Sequence, residues 1–282
     1  MRFAYRPILL LGMCLLFASL PAAAQTGSIS FVVRITPSAG VAEPVRGLPF
    51  YLLRKSFADI QREAEATVPK LDFDGFVDHL TVSDELKAWM KKNHSVKITG
   101  EDFRKSLTAD DIINIPEFWK AYFDENTSGP NIGFPPRKYK ESDRTKNPEK
   151  YEREIADYHV RIRKYLGVNP DSKDVMDAGL ESIDSGPRWA DIEASHAKDV
   201  KTLALDLAQS RYTVGQVQTD VDGRGEFSGI APGTYWITCL NIRAQVGDTR
   251  EKWDVAVSVQ AGATTRITLS NFNAVRAAGS AR

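Results

Sequence analysis

The sequence contains little cysteine, little histidine and no excess of charge of either sign. Its 282 residues include 2 cysteines and 4 histidines, and 37 basic residues balance 37 acidic ones. A balanced charge lacks the electrostatic footprint that binding to nucleic acid or to an anionic membrane requires, so neither partner is predicted. The sequence also lacks a Gly-x-Ser-x-Gly elbow and a His-Glu-x-x-His helix, so no catalytic site of those two classes is predicted.

Long apolar runs are also scarce, and the one at the N-terminus has the form of an export signal. Arg2 and Arg6 precede an uncharged apolar run of about 13 residues, and three alanines follow it. A membrane span needs about 20 residues. We therefore predict a signal peptide over residues 1–24 and a chain exported to the periplasm or the cell surface. No membrane span is predicted in the mature chain.

Outside the predicted signal, Cys239 is the only cysteine, and one cysteine cannot form an intramolecular disulfide. An exported chain without disulfides depends on the size of its hydrophobic core for stability. The roughly 258 residues that remain suffice for one large domain or two ordinary ones.

Apolar residues alternate with polar ones near both ends of the mature chain. Residues 29–35 and 253–259 follow this period of two, which is typical of half-buried strands. The strand-like segments, 25–55 and 212–272, amount to about seven strands, the size of one small β-sandwich. The last residues, 273–282, are small and polar, and we predict that they form a disordered tail.

Between these segments, over 56–211, the apolar period is helical. Ser83 and Thr108 have the spacing of helix caps, and the most regular helix is predicted over 147–167. Another long helix is predicted from Pro187. Its predicted buried side consists of Trp189, Ile192, Val200, Leu203 and Leu207. The sequence thus predicts an α+β chain in which a seven-stranded antiparallel β-sandwich is interrupted by a mainly α-helical insertion.

The stretch TDVDGRGEFSGIAPGTYWITC, residues 219–239, raises the question of a calcium loop. Asp220 and Asp222 have suitable spacing, but the fifth position of such a loop is Arg224, a cation where calcium needs an oxygen ligand. Asp222-Gly223 is instead typical of a tight hairpin turn, because glycine accepts positive φ angles. The stretch is therefore interpreted as turns and strands, and no metal or cofactor is predicted.

The same stretch resembles the signature of carboxypeptidase regulatory-like domains, which are also called transthyretin-like or prealbumin-like β-sandwiches. Their pattern is Thr-Asp, a glycine turn, an aromatic residue, and then Pro-Gly-Thr-Tyr leading into a strand, here residues 232–235. GSISFVVRI and VRGLPFYLL resemble the first two strands, and WDVAVSVQAGATTRITL resembles the last two. The resemblance covers the strand-like segments and leaves the helical segment unmatched.

The resemblance implies a transthyretin-like sandwich and says little about activity. Related sandwiches serve as accessory domains beside peptidases, as surface modules and as carbohydrate-binding-like folds. One related branch is an enzyme of purine catabolism that ends in a Tyr-Arg-Gly-Ser motif. This sequence lacks that motif, so the resemblance does not extend to that catalysis.

The four histidines have no metal-ligand spacing. They lie in separate segments of the helical insertion: His79, His94, His159 and His196. His196 falls between Ile192 and Val200 on the predicted apolar side of its helix, so it is interpreted as a satisfied core histidine. No catalytic residue and no metal ligand is predicted.

A second apolar face of the sandwich is predicted from the residues that alternate with the inward ones. The inward residues are Phe50, Leu52, Tyr235 and Ile237, and the outward ones are Tyr51, Leu53, Trp236 and Leu240. An apolar face of this kind needs a cover. One interpretation is that the helical insertion packs on it. The other is an exposed contact face on which Tyr51 and Trp236 stack against a sugar ring.

These observations predict a non-catalytic exported module, with a binding or structural role, that makes protein–protein contacts at the cell envelope. Its partner is an envelope protein or polysaccharide that the sequence does not identify. One alternative is a carbohydrate-binding module that uses Tyr51 and Trp236. A further alternative is a hydrolase whose site lies between the sandwich and the insertion.

Overall fold

The computed structural model describes residues 25–128 and 133–275, so the predicted signal peptide lies outside the described residues. The chain divides into two compact units. We call the first the sheet unit, which comprises the described residues up to Glu65 and from Thr202 onward, and the second the helical unit, which comprises the described residues of Ala66–Lys201. Helices and sheets are therefore largely segregated along the chain, in agreement with the predicted α+β class. Within the described ranges, no helix is both long and apolar enough to span a bilayer.

The sheet unit contains ten strands among its described residues. They are β1 (Gly27–Ile35), β2 (Glu43–Pro44), β3 (Pro49–Leu53), β4 (Thr213–Gln218), β5 (Arg224–Ile230), β6 (Gly233–Thr238), β7 (Ala244–Val246), β8 (Thr249–Glu251), β9 (Asp254–Val259) and β10 (Thr264–Leu269). In one four-stranded sheet, β1 pairs with β10, β2 and β5. The second four-stranded sheet has the order β4-β3-β6-β9, and β7 and β8 form a separate hairpin.

The two four-stranded sheets share one buried core built around aromatic rings. Phe31 of β1 and Phe50 of β3 meet edge to face with ring centroids 5.2 Å apart, and Phe227 of β5 stacks on Phe31 at 5.6 Å. Trp253 is fully buried beside Phe50, with centroids 6.0 Å apart. Such pairs add about 0.5–1.5 kcal/mol each beyond the burial of their area. The four residues predicted to point inward all belong to this core: Phe50, Leu52, Tyr235 and Ile237.

The predicted seven-stranded antiparallel sandwich differs from the structure in strand number and in one strand direction. The short strands β2, β7 and β8 were not predicted, and they bring the total to ten strands in three sheets. β7 and β8 meet at Gly247-Asp248, where Gly247 has a φ of 57° that glycine adopts without steric cost. β1 and β10 pair in parallel, which is possible because most of the chain separates them and no tight turn dictates their direction.

Ten α-helices occur among the described residues, most of them in the helical unit. They are α1 (Phe57–Thr67), α2 (Phe73–Asp78), α3 (Asp84–Asn93), α4 (Glu101–Ser106), α5 (Ala109–Asn114), α6 (Pro116–Thr127), α7 (Asp143–Lys146), α8 (Pro148–Val168), α9 (Met176–Leu180) and α10 (Gly186–Leu207). A 3-10 turn covers Pro170–Lys173, and a π-helical turn, Ala208–Tyr212, follows α10 directly.

Local capping sets several helix starts, as the sequence predicts. The Ser83 hydroxyl accepts the Leu86 N–H over 3.1 Å at the start of α3. Thr108 and Asp111 form a reciprocal capping box at the start of α5. α8 begins directly after Asn147, whose side chain accepts a backbone N–H of its first turn. The structure confirms these helix starts. They could be predicted because capping depends on residues close together in the sequence.

The helical unit has its own aromatic core. Trp89, Phe103 and Phe118 pack with centroid separations of 5.3–5.7 Å, so three helices are joined at one cluster. Tyr122 and Tyr158 are fully buried in the same core. Burial disfavours the charged phenolate and raises the pKa of each of these two tyrosines to about 12.

The helical segment leaves and re-enters the second sheet at neighbouring strands. Leu53 at the end of β3 pairs with Thr213 at the start of β4, and the Arg54 N–H donates to the Tyr212 carbonyl over 3.0 Å. The Tyr212 hydroxyl in turn donates to the Glu63 carboxylate of α1 over 2.8 Å. Entry and exit are thus tied together by backbone and side-chain hydrogen bonds.

The sheet unit includes α1 up to Glu65 and the end of α10, whereas the sequence placed the ends of the insertion at residues 56 and 211. The reason lies in packing, because Ile60 and Ala64 of α1 are fully buried. The Asp254 carboxylate of β9 also accepts the Ala58 N–H over 3.1 Å, which anchors the start of α1 to the second sheet. A change of hydrophobic period therefore does not coincide with the boundary of a compact unit.

α10 is far more exposed than its apolar stripe predicts. Residues 190–195 are all exposed, Ile192 among them at 38 %, and Ala204 is the buried residue of this helix. His196 is half-buried, and its Nε2 has no hydrogen-bond partner among the described residues. Its interpretation as a satisfied core histidine is wrong, because its buried Nε2 lacks a partner among the described residues and the residues before it on α10 are exposed.

Candidate interaction surface

The stretch 219–239 begins with a closed polar turn. Asp220 Oδ1 accepts the backbone N–H groups of Asp222 and Arg224 over 2.9 and 2.7 Å, and Gly223 has a φ of 76°. Arg224 also pairs with Asp222 over 3.3 Å. The carboxylates are therefore used by the turn itself. In the part of the chain that the structure describes, no group of three or more His, Cys, Asp or Glu residues could hold a metal ion.

Cys239, at the end of the same stretch, is a structural residue. It is fully buried, and burial raises the pKa of its thiol. The Trp253 N–H donates to its sulfur over 3.3 Å, and the thiol contacts the Ile242 carbonyl oxygen at 3.1 Å. A thiol kept neutral and enclosed in this way is a core group.

The four residues predicted on the second apolar face differ in burial. Leu53 and Leu240 are buried, whereas Tyr51 and Trp236 are half-buried. Leu240 does not lie on a strand, because β6 ends at Thr238 and Leu240 adopts a φ of 54° in the following turn.

Trp236 lies on the same face of the second sheet as Tyr51. It pairs directly with Leu53 on one side and with Ala256 on the other. Ala256 is exposed, and so are two small residues further along this face, Thr234 and Ser258. Three exposed small side chains therefore share this face with a half-buried indole ring.

A different surface stands out at one end of the sheet unit, and we call it the loop end. It consists of loop 36–42, the β7–β8 hairpin and turn 270–275. Asn271 joins the first and last of these, because its side chain accepts the Thr36 N–H over 2.8 Å and donates to the Thr36 carbonyl over 3.0 Å. The Ser38 N–H donates to Asp248 of the hairpin over 3.1 Å, and this bond lowers the pKa of Asp248.

Turn 270–275 is itself fixed by several hydrogen bonds. The Asn273 side chain accepts the Ser270 N–H and donates to the Thr268 carbonyl, both over 2.8 Å. The buried Trp253 indole donates to the Ser270 carbonyl over 3.0 Å, and the Val275 N–H donates to the Lys252 carbonyl over 2.8 Å. The predicted disordered tail therefore does not begin at Asn273, and residues 276–282 lie outside the described residues.

This fixed turn presents Phe272 to solvent. Its side chain is 98 % exposed, although a phenylalanine gains about 1.5–3 kcal/mol from burial. Other exposed apolar residues of this end are Val41 at 78 % and Val275 at 38 %. Phe272 was not predicted as a surface residue, because it was assigned to the end of the sandwich segment 212–272. The available signal was an aromatic residue between the turn formers Ser270, Asn271 and Asn273.

Three of the four histidines take part in separate local contacts. His79 Nδ1 lies 2.6 Å from the Gly75 carbonyl oxygen, His94 packs against Phe73 with ring centroids 4.1 Å apart, and His159 meets Trp119 edge to face at 5.5 Å. Burial disfavours the charged imidazolium and lowers the pKa of His159.

Comparison with known proteins finds no matching family model and no matching curated protein. Two solved structures from Streptococcus pneumoniae, the pilus backbone RrgB and the full-length major pilin RrgB, match at 13 % identity with TM-scores of 0.24 and 0.20. Both matches cover 87 % of this chain, which spans 41 % and 30 % of those chains. Likeness at this level says nothing about function.

Proposed function

We propose that this protein is a non-catalytic exported module that binds another protein of the cell envelope through the loop end. The observation that carries the proposal is Phe272, which is held on a hydrogen-bonded turn with its side chain 98 % exposed. Aromatic side chains dominate the binding energy of many protein interfaces when they enter a pocket on the partner. Phe272 has the chemistry and the exposure of such an anchor.

The rigidity of the turn matters as much as its exposed ring. Ordering a flexible loop on binding costs free energy that is subtracted from the affinity. The bonds of Asn273 to Ser270 and Thr268 already fix this turn, and Asn271 fixes it to loop 36–42. Val41 and Val275 add apolar area at the same end. The loop end can therefore bind with little reordering.

Export and family membership belong to the same proposal. The charged start, apolar run and small residues of segment 1–24 support export to the periplasm or the cell surface. The Pro-Gly-Thr-Tyr turn at 232–235 and the two sheets with a shared core support a carboxypeptidase regulatory-like sandwich over 25–55 and 212–272, with an insertion over 56–211. N-terminal sequencing of the protein from an envelope fraction tests export, and a mature chain that starts at Gln25 is expected.

A photo-crosslinking amino acid at position 272 tests the contact in intact cells. We expect a discrete protein adduct at 272 and none when the same group replaces Val168, which is 72 % exposed on α8 and serves as the matched control. With the partner identified, Phe272→Ala should weaken binding by at least about 30-fold, since anchors of this kind contribute about 2 kcal/mol or more. Equal adducts at both positions, or unchanged binding by the alanine variant, would contradict the proposal.

A second candidate function is carbohydrate binding at Tyr51 and Trp236. It is favoured by the exposed small residues beside the half-buried Trp236, because small side chains next to an indole leave room for a sugar ring. Titration of tryptophan fluorescence with a panel of cell-surface polysaccharides tests this function. A saccharide that changes the emission of the wild type but not of Trp236→Phe would support it, and no response to any of the panel would reject it.

A further inference from the structure

The helical unit contains an open cavity of about 490 Å³ on α8 whose lining carries charges of both signs. Glu154, Asp157, Val160 and Arg161 line it from α8, and Lys138 reaches it from the segment before α7. A cavity of this volume is within the usual range for small-ligand sites, about 300–1,000 Å³. Its lining provides two carboxylates, two cations and one apolar side chain.

The charges of this cavity do not neutralise one another. Asp157 and Arg161 are four residues apart on a helix, a spacing at which opposite charges normally pair. Arg161 instead donates to the Pro136 carbonyl over 3.1 Å and lies over the Tyr158 ring, 5.2 Å from its centroid. Neither Asp157 nor Lys138 forms an ion pair with any other residue that the structure describes. The guanidinium of Arg161 is thus held in position, and the charged groups of Asp157 and Lys138 remain available to a ligand.

Glu154 adds a second, independent observation. Its Oε2 is buried and has no hydrogen-bond partner within the described ranges, and its Oε1 lies 3.9 Å from the Lys150 ammonium. A buried carboxylate oxygen without a donor costs free energy that a positively charged ligand group beside it would reduce. The carboxylate side of the cavity therefore favours an ammonium group.

The spacing of Glu154 and Arg161 along α8 sets the length of the ligand. The two residues are seven positions apart, so their side chains leave the helix about 10.5 Å apart along its axis. An extended peptide covers about 3.3–3.6 Å per residue, so three residues span this separation. A free amino acid is too short to reach both groups, and a longer chain would extend beyond them.

We propose that this cavity binds a short peptide of about three residues through its two free ends. The N-terminal ammonium pairs with Glu154, with Asp157 beside it, and the C-terminal carboxylate pairs with Arg161. Lys138 adds a second positive charge to the cavity, and an apolar side chain of the peptide covers the exposed Val160. This site is independent of the loop end and of the proposed function.

Calorimetric titration with the tripeptide Ala-Ala-Ala and its blocked forms tests the proposal on the full mature chain. Each blocked form, N-acetylated or C-amidated, should bind at least about tenfold more weakly, because each removes one charge-assisted contact. Free alanine, which cannot span the two groups, should bind at least tenfold more weakly as well. Blocking the ligand changes no residue of the protein, so misfolding cannot produce this result.

Variants assign the binding to the cavity. Glu154→Gln should weaken the binding of Ala-Ala-Ala at least tenfold and should abolish the difference between the free and N-acetylated peptides. Glu152→Gln, an exposed change on the same helix, should leave binding unchanged. Asp157→Asn should also weaken the binding of Ala-Ala-Ala, and because Asp157 is exposed, a folding defect is not expected. No binding at about 10 mM, equal affinity for free and blocked peptides, or equal effects of the changes at 154 and 152 would overturn the proposal.

Discussion

Replacing Gly179 with alanine should destabilise the helical unit, although the same change in an open helix is stabilising. Gly179 lies in α9, where an added Cβ would be 2.9 Å from the Ala121 Cβ and 3.0 Å from its Cα. Carbon atoms in optimal contact are about 3.5–4.0 Å apart, so α6 and α9 would have to separate by about half an ångström or more. The neighbouring Met176 and Leu180 are fully buried, which leaves no free space to absorb the shift.

The expected magnitude follows from two opposing effects. Overpacking of a filled core costs about 1–3 kcal/mol. Alanine gains up to about 1 kcal/mol over glycine from its higher helix propensity. The free energy of unfolding should therefore fall by about 1–2 kcal/mol in Gly179→Ala, through the close approach of α9 to Ala121.

Gly167 of α8 provides the matched control. It is also a helical glycine, but apart from its chain neighbours and the adjacent backbone of α8, no atom of the described residues lies within 4 Å of the position that a Cβ would take. Gly167→Ala should therefore raise the free energy of unfolding by about 0.5–1 kcal/mol. The same chemical change is expected to have opposite signs at the two positions.

Urea denaturation followed by far-UV circular dichroism measures both variants. The helical signal reports mainly on the helical unit, and two units can give two transitions, so each transition is fitted separately. A Gly179→Ala variant as stable as the wild type, alongside the expected gain at Gly167, would show that α6 and α9 do not pack this closely.

The remaining predictions concern the sheet unit and the pH dependence of the helical unit. Trp253→Phe removes the hydrogen bond to the Ser270 carbonyl and part of a buried ring. The free energy of unfolding of the sheet unit, followed by near-UV dichroism, should therefore fall by about 1–3 kcal/mol. An unchanged transition would show that the indole does not hold turn 270–275. Because burial keeps the pKa of Tyr122 and Tyr158 at about 12 while unfolded tyrosine ionises near pH 10, the helical unit should be fully stable below about pH 10. It should lose about 1–2 kcal/mol per tyrosine as the pH rises to 12, and the double phenylalanine variant should flatten this fall. Asp220→Ala should destabilise the sheet unit by about 1–2 kcal/mol, because two hydrogen bonds are lost. Calcium should not shift the melting temperature of the wild type. A calcium-dependent rise in that temperature would restore the calcium interpretation.

Local features of this fold could be predicted from sequence, because their physics involves residues close together in the chain. The caps at Ser83, Thr108 and Asn147 each depend on a side chain and a backbone group three residues away. The inward residues of β3 and β6 followed from strict alternation over at least four residues. The β7–β8 hairpin was missed because its strands are three residues long, too short for a period to be recognised.

Features that depend on distant partners could not be predicted. The stripe containing Ile192 and His196 predicts a buried helix face, but residues 190–195 of α10 are exposed in the structure. Phe272 stands in a polar stretch whose order comes from Thr36 and Trp253, far away in the sequence. In the sequence, the residues that line the cavity on α8 have the pattern of an ordinary charged helix face. Arg161 stays apart from Asp157 because it donates to the carbonyl of Pro136, which the sequence pattern does not predict.

The pairing of β1 with β10 has a consequence for the order in which this chain can fold. Ser28 and its partner Thr264 are 236 positions apart, so the parallel ladder of β1 must wait until nearly the whole chain has been made. Closing so large a loop is slow, and a strand without its partner exposes unpaired backbone groups meanwhile. The helical unit is continuous in sequence and needs no such wait. Synthesis therefore favours a half-folded chain in which helices are formed while β1 still lacks its parallel partner β10.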